Sequence, residues 1–246
     1  MRIPRLLAVA LFVAAVPIFL ITTNVRWVIN APILYSYGFD KYNTTITAWT
    51  GIERDEYLSA ASQIRDYFNN NEDDLDVRVV QRGVRTSIYN DREISHMRDV
   101  KGLVRWVYRV QLLTGAYLAA FIVFGLVSER RRSLPPLGRR LARGGALTIG
   151  LVIMVGLGAL AGFDRLFYAF HLVSFSNDLW MLDPSQDNLI AMFPEGFFFD
   201  ATMWIAASTV TEAAALVAVP LFFLRRSKRR DPATVRPSTS SRSGVN

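Results

Sequence analysis

LVRWVYRVQLLTGAYLAAFIVFGLV (103–127), SERRRSLPPLGRRLARGG (128–145) and ALTIGLVIMVGLGALAGF (146–163) follow one another without a gap. The outer two blocks are apolar over lengths that span a hydrocarbon layer of about 30 Å at about 1.5 Å rise per residue. The middle block holds six arginines and one acid. Apolar, basic, apolar is the pattern a bilayer imposes, because a spanning backbone must satisfy its own hydrogen bonds and basic residues collect at the ends. Two more apolar blocks lie outward from this unit, at about 6–22, preceded by Arg2 and Arg5, and at about 201–224. The expected fold is an all-α membrane protein, a four-transmembrane-helix bundle. Arg105 and Arg109 sit within two turns of the edge of the 103–127 block, close enough to snorkel or to face a polar cavity.

Composition agrees. Of 246 residues, 51% are hydrophobic and 20% charged, and the two populations separate into blocks rather than mixing. The net charge of +7 sits mostly in 128–145 and in the tail from Arg225, so membrane topology accounts for it and nucleic acid is not an expected partner. No cysteine is present, which removes disulfides, thiolate metal sites and a cysteine nucleophile.

Orientation follows from the basic residues near the helix ends. The tail from Arg225 holds six arginines and one lysine against one acid, whereas 164–200 holds only Arg165 against six acids. Both termini and 128–145 are therefore expected on the cytoplasmic side, with 23–102 and 164–200 extracytoplasmic. The first apolar block also resembles a signal peptide. It is read as an uncleaved anchor, because no convincing small-x-small cleavage site follows. Residues 1–230 are expected to form the membrane domain, and 231–246, rich in Ser, Pro and Thr, a disordered cytoplasmic tail.

The first extracytoplasmic segment, about 80 residues, is too long for a passive linker. Tyr57, Ala61, Ile64 and Phe68 recur at helical spacing and predict an amphipathic helix over 53–70. Residues 76–89 read as a short extended region. Asn90 or Asp91 caps a further helix with Glu93 near its third position, and that helix is expected to run through His96 and Lys101 into the second span. The second segment reads as a loop crowded with aromatics and prolines, suited to an interfacial layer.

The chain has two histidines, His96 and His171, both in these segments. Histidine titrates near neutral pH and can pass protons either way. Glu93, His96 and Asp99 share one side of a helix, and His171 lies in a mostly apolar run. A structural role is the competing reading for each histidine. Asp183-Pro184 also reads as a turn, and Asp200 as a cap for the fourth span. Glu212 lies mid-span, where a carboxyl group is costly and is commonly functional or partnered. No His-Glu-x-x-His spacing, phosphate loop or Gly-x-Ser-x-Gly elbow occurs, so no metal and no cofactor is expected. Gly156-x-Gly158 reads as a helix-packing feature.

Three stretches carry a family resemblance: Glu93-x-x-His96-Met-x-Asp99-Val-Lys101; Phe170-His171-x-x-x-Phe175; and Asp183-Pro184-x-x-Asp187-x-Leu189-Ile190 with Pro194-x-x-Phe197-Phe198-x-Asp200. They resemble the DUF1461 family of four-span bacterial membrane proteins, whose characterised branch is the lipoprotein intramolecular transacylase. The likeness runs from the first span to the fourth and implies an acyltransferase. Such an enzyme moves one acyl chain from the diacylglyceryl group of a bacterial lipoprotein to the α-amine of its N-terminal cysteine, giving the lyso-form. Lipoprotein and membrane lipid are the implied partners, and His96 and His171 the implied catalytic pair. His171 is assigned as general base and His96 as its partner. Glu93, Asp99 or Asp183 would orient a ring, and Lys101, Arg98 or Arg105 would hold a carbonyl or phosphate, with Asp187 supporting. Two rival readings are a non-enzymatic membrane module binding a peptide or lipoprotein through its outer loops, and a small transporter.

Overall fold

The computed structural model describes residues 2–81, 83–129 and 133–229. The expected tail, 231–246, lies outside them. Four helices are long and apolar enough to span: α1 (Arg2–Asn30), α4 (Asp91–Glu129), α5 (Leu134–Ala161) and α8 (Glu195–Arg229). The connecting segments carry α2 (Pro32–Thr50), α3 (Arg54–Asn69), β1 (Arg78–Gln81), β2 (Val84–Ser87), α6 (Phe163–Ser174) and α7 (Asn188–Met192). The chain is a multi-pass membrane protein. Successive spans alternate in direction, so α2, α3, the strands, α6 and α7 gather at one end, here the loop end. Residues 133–145 lie at the other, arginine-rich end.

α1 is the central span and packs against α4, α5 and α8, while α5 packs along α8. Small residues permit the closest approaches. A Cβ on Gly144 would meet Val16 Cβ at 2.7 Å, and one on Gly145 would meet the Ala213 carbonyl oxygen at 2.7 Å. In lipid, where apolar burial gives little drive, such backbone proximity is what holds helices together. Glu212 has a partner: Asn24 Nδ2 donates to its Oε2 at 2.8 Å, tying α8 to α1.

The loop end has a core of its own. Ile46, Ile52, Tyr57, Ile64, Tyr67, Val77 and Val79 are fully or almost fully buried there. The amphipathic helix expected over 53–70 is α3, with Tyr57, Ala61, Ile64 and Phe68 on its buried side. The extended region is an antiparallel hairpin in which Arg78 pairs with Ser87 and Gln81 with Val84. Three helices, α2, α6 and the short α7, were not anticipated. α2 begins at Pro32, whose missing N–H costs nothing at a first turn, and ends at Gly51 with φ 66. α6 and α7 both lie in the segment read as an aromatic loop. Asp200 does not cap the fourth span. α8 starts at Glu195, and the Asp200 carboxylate in its second turn accepts from Lys41 Nζ (2.7 and 2.8 Å) and Tyr42 Oη (2.9 Å), which fastens α2 to α8.

Candidate functional site

The first three turns of α4 precede its apolar stretch and organise the loop end. Asn90 Oδ1 accepts from the Glu93 backbone N–H (3.0 Å), and Glu93 Oε2 accepts from the Asn90 N–H (2.8 Å), a reciprocal cap. Glu93 is fully buried, and its Oε1 accepts from the Leu189 N–H at 2.6 Å, at the start of α7. Burial raises its pKa, and the backbone donors at Asn90 and Leu189 oppose that rise. Asp187 continues the network. Its Oδ1 accepts from Asn90 Nδ2 and its Oδ2 from the Asp183 N–H, both at 2.8 Å. Asp183 forms the expected turn, with Oδ1 accepting from the Ser185 N–H and hydroxyl, and those bonds lower its pKa.

These bonds bring the 175–187 loop over α4 and α6. Arg92 donates to the carbonyl oxygens of Asp178 and Met181, and Asn177 Nδ2 donates to Asp99 Oδ2 at 2.9 Å. Under that loop the two histidines meet. Their ring centroids are 6.3 Å apart with planes tilted by 32°. His96 is 7% exposed and His171 8%. Phe175 sits edge-on to His96 at 5.2 Å and also touches His171. Trp180 stacks on His171 at 4.9 Å, and Phe167 meets it edge-on at 4.4 Å.

The tautomer of His171 follows from its partner. Nδ1 lies 2.7 Å from the Phe167 carbonyl oxygen, which can only accept, so Nδ1 carries the proton and Nε2 the lone pair. Among the described residues Nε2 has no hydrogen-bond partner. His96 Nδ1 is buried without any partner, an arrangement that costs about 1–3 kcal/mol and is retained mainly where a polar group has work to do. Burial lowers the His96 pKa to about 4; nearby His171 and Arg92 add to this, and Asp99 opposes it. Burial also lowers that of His171, against the bond to Phe167. Both rings are neutral at pH 7.

The acids expected to orient a ring are engaged elsewhere. Glu93 and Asp187 hold backbone and Asn90, Asp183 holds its own turn, and Asp99 holds Asn177. Lys101 and Arg98 lie on a different face of α4. Lys101 Nζ donates to Asn70 Oδ1 (2.8 Å) and the Glu72 carbonyl (2.6 Å) over the Tyr67 ring, and burial lowers its pKa. Arg98 pairs with Asp74, and Arg105 donates to the Asn70 carbonyl. Trp180, Arg92 and Asn177 lacked any sequence signal, because their roles depend on how a loop returns over a distant helix. Among the described residues no group of three His, Asp or Glu side chains is placed to hold a metal ion.

The four-span bundle with two buried imidazoles close together at one end defines a multi-pass membrane protein with a candidate acid–base site. The family model of the lipoprotein intramolecular transacylase Lit matches residues 10–198, and the chain belongs to that family. DUF1461 is an older label for the same family. The in meso structure of the membrane integral lipoprotein intramolecular transacylase Lit from Bacillus cereus has the same fold: TM-score 0.79 at 19% identity, covering 93% of this chain and 100% of that one. Structures of that protein with a histidine-to-arginine or histidine-to-alanine substitution match with TM-score 0.72 at 20% identity, covering 91% of this chain and 93% or 94% of theirs. No curated protein matches the chain.

Proposed function

We propose that His96 and His171 carry out intramolecular acyl transfer on a lipoprotein whose N-terminal cysteine bears a diacylglyceryl thioether. The α-amine attacks an ester carbonyl of the glyceryl group. His171 Nε2 takes the proton that the amine loses, His96 hydrogen-bonds to the oxyanion, and the proton taken by His171 passes to the departing glyceryl oxygen, which returns both rings to the neutral state. One ester bond breaks, one amide forms, one hydroxyl is freed, and no water is consumed. Acid–base assistance of this kind contributes about 10²–10⁴-fold. Nucleophile and acyl donor share one molecule, so positioning supplies much of the rest and no acyl-enzyme is needed.

The observation that carries this reading is the Phe167 carbonyl on His171 Nδ1, which leaves Nε2 as an unprotonated base on a ring whose centroid lies 6.3 Å from that of the His96 imidazole. Glu93, Asp187, Asp183, Asp99 and Arg92 act by holding the 175–187 loop over the rings, and Lys101 by anchoring α3 to α4. The arginine distribution supports cytoplasmic termini and an extracytoplasmic loop end, where membrane lipid and a lipoprotein N-terminus meet.

Mass spectrometry of lipoprotein N-termini in cells expressing the chain tests this. Wild type yields the lyso-form, and His96→Asn and His171→Asn each abolish it while remaining in the membrane at normal levels. Full activity in both variants would sink the mechanism.

A further inference from the structure

Arg65 of α3 reaches back to the end of the first span. Its Nη1 donates to the Asn30 carbonyl oxygen at 3.3 Å, and its guanidinium carbon stands 5.7 Å from the centroid of the Tyr35 ring of α2. Among the described residues neither Nε, which is buried, nor Nη2 beside it has a hydrogen-bond partner. A buried N–H without a partner is rare and points to a group that the protein itself does not supply. Nε and Nη2 together form the side-on edge of the guanidinium, the fork that takes two oxygens of a carboxylate or phosphate at once.

Arg65 lines a cavity of about 350 Å³ between α2 and α3, within the size range of small-ligand sites. Two further features of the wall favour an anion. Pro32 and Ile33, the first two residues of α2, belong to it, and the start of this 19-residue helix carries partial positive charge. Ser36 also lines it. Its Oγ accepts from Arg54 Nη2 at 2.6 Å, so its own proton is left to donate to a ligand. Leu58 and Ala61 of α3 make the rest apolar.

Position narrows the anion further. α1 is a span that ends at Asn30, and Trp27, about one turn earlier, is exposed, as tryptophans at the headgroup level are. The cavity begins at Pro32, just beyond that end, and Ile33 in its wall is itself exposed. An oxyanion held at Arg65 therefore has apolar surface beside it and a lipid-facing span next to that. This is the profile of a phospholipid rather than of a free anion.

We propose that Arg65, Ser36 and the start of α2 form a binding site for the phosphodiester of a membrane phospholipid, whose acyl chains run from Ile33 along the outside of α1. A slight swing of the long Arg65 side chain presents its Nε–Nη2 edge to two phosphate oxygens and gives the buried N–H its partner. The bound lipid fastens α3 and the start of α2 to the headgroup layer and so seats the loop end on the membrane. Neither the histidine pair nor the network that holds the 175–187 loop uses these residues.

The test uses the full chain purified in detergent, with lipid retention read by native mass spectrometry and thermal unfolding read in parallel. Phosphatidylglycerol should remain bound and raise the melting temperature, and R65Q should lower that retention by about tenfold or more. R85Q removes the same charge from an exposed strand residue outside the cavity and should leave retention unchanged. The fraction sensitive to R65Q should not appear with monogalactosyldiacylglycerol, which has the chains but no phosphate. Inorganic phosphate at millimolar concentration should neither displace the phospholipid nor reproduce the shift in melting temperature. Retention in R65Q equal to wild type, equal loss in R65Q and R85Q, an equal R65Q-sensitive fraction with the galactolipid, or full replacement by inorganic phosphate would each overturn the proposal. Should R65Q fail to accumulate, R65K decides. It keeps the charge but loses the bidentate fork, and unchanged retention there also counts against the site.

Discussion

The two ends of the molecule bury opposite things. At the loop end, Ile46, Ile52, Tyr57, Val77 and Val79 are packed out of reach of solvent, as in any domain that folds by removing apolar surface from water. In the spans, Leu112, Leu113, Phe124 and Val127 stand more than half exposed, while Gly144, Gly145 and Asn24 lie at helix contacts. The difference is one of solvent. Lipid tails are as apolar as leucine, so spans gain little by hiding leucines from them and associate through close backbone packing and a few polar bonds. The proposed catalytic pair, His96 and His171, sits at the loop end, where a dense polar network can hold a loop in register.

The sharpest way to break this contrast is Glu93→Ala. It removes two charge-assisted acceptors and strands the N–H groups of Asn90 and Leu189, at a cost of about 3–5 kcal/mol. Thermal unfolding should show a large loss, and lyso-lipoprotein formation should fall with it as the 175–187 loop lifts from the rings. Ile46→Ala, in the loop-end core, should cost about 2–4 kcal/mol through lost burial and a cavity. Its counterpart in the spans, Leu113→Ala, should stay within about 0.5 kcal/mol in lipid nanodiscs, because that side chain has no protein interior to vacate. Comparable losses in the two would dissolve the distinction.

Acid should act on the loop end alone. The folded state holds the His96 pKa near 4, below its ordinary value of 6.5, so unfolded chain binds the proton first as pH falls. The stability that neutral His96 contributes is complete above about pH 6.5 and is lost between there and about pH 4. Melting temperature should decline across that window in wild type and decline less in His96→Asn. Activity should hold through neutral pH, with its acid limb displaced below the usual histidine range because burial also lowers the His171 pKa.

Much of the architecture was legible because its physics is one-dimensional. Block lengths and arginine placement define spans without any tertiary knowledge. The period of Tyr57, Ala61, Ile64 and Phe68 defines α3, and Asn90 with Glu93 defines the start of α4. α2 was missed although Pro32 and Gly51 mark its ends, because its apolar residues keep no clean period. α6 was missed because aromatic density masked a helix.

The site was legible only as a pair of residues. Sequence by itself determined that His96 and His171 belong to the loop end, since charge and hydropathy sort segments by medium. Tertiary structure decided that their ring centroids lie 6.3 Å apart, that the Phe167 carbonyl sets one tautomer, and that Glu93, Asp99 and Asp187 grip a loop instead of a ring. Hydrogen bonds need atoms within about 3 Å and aligned, and chain separation carries no information about that.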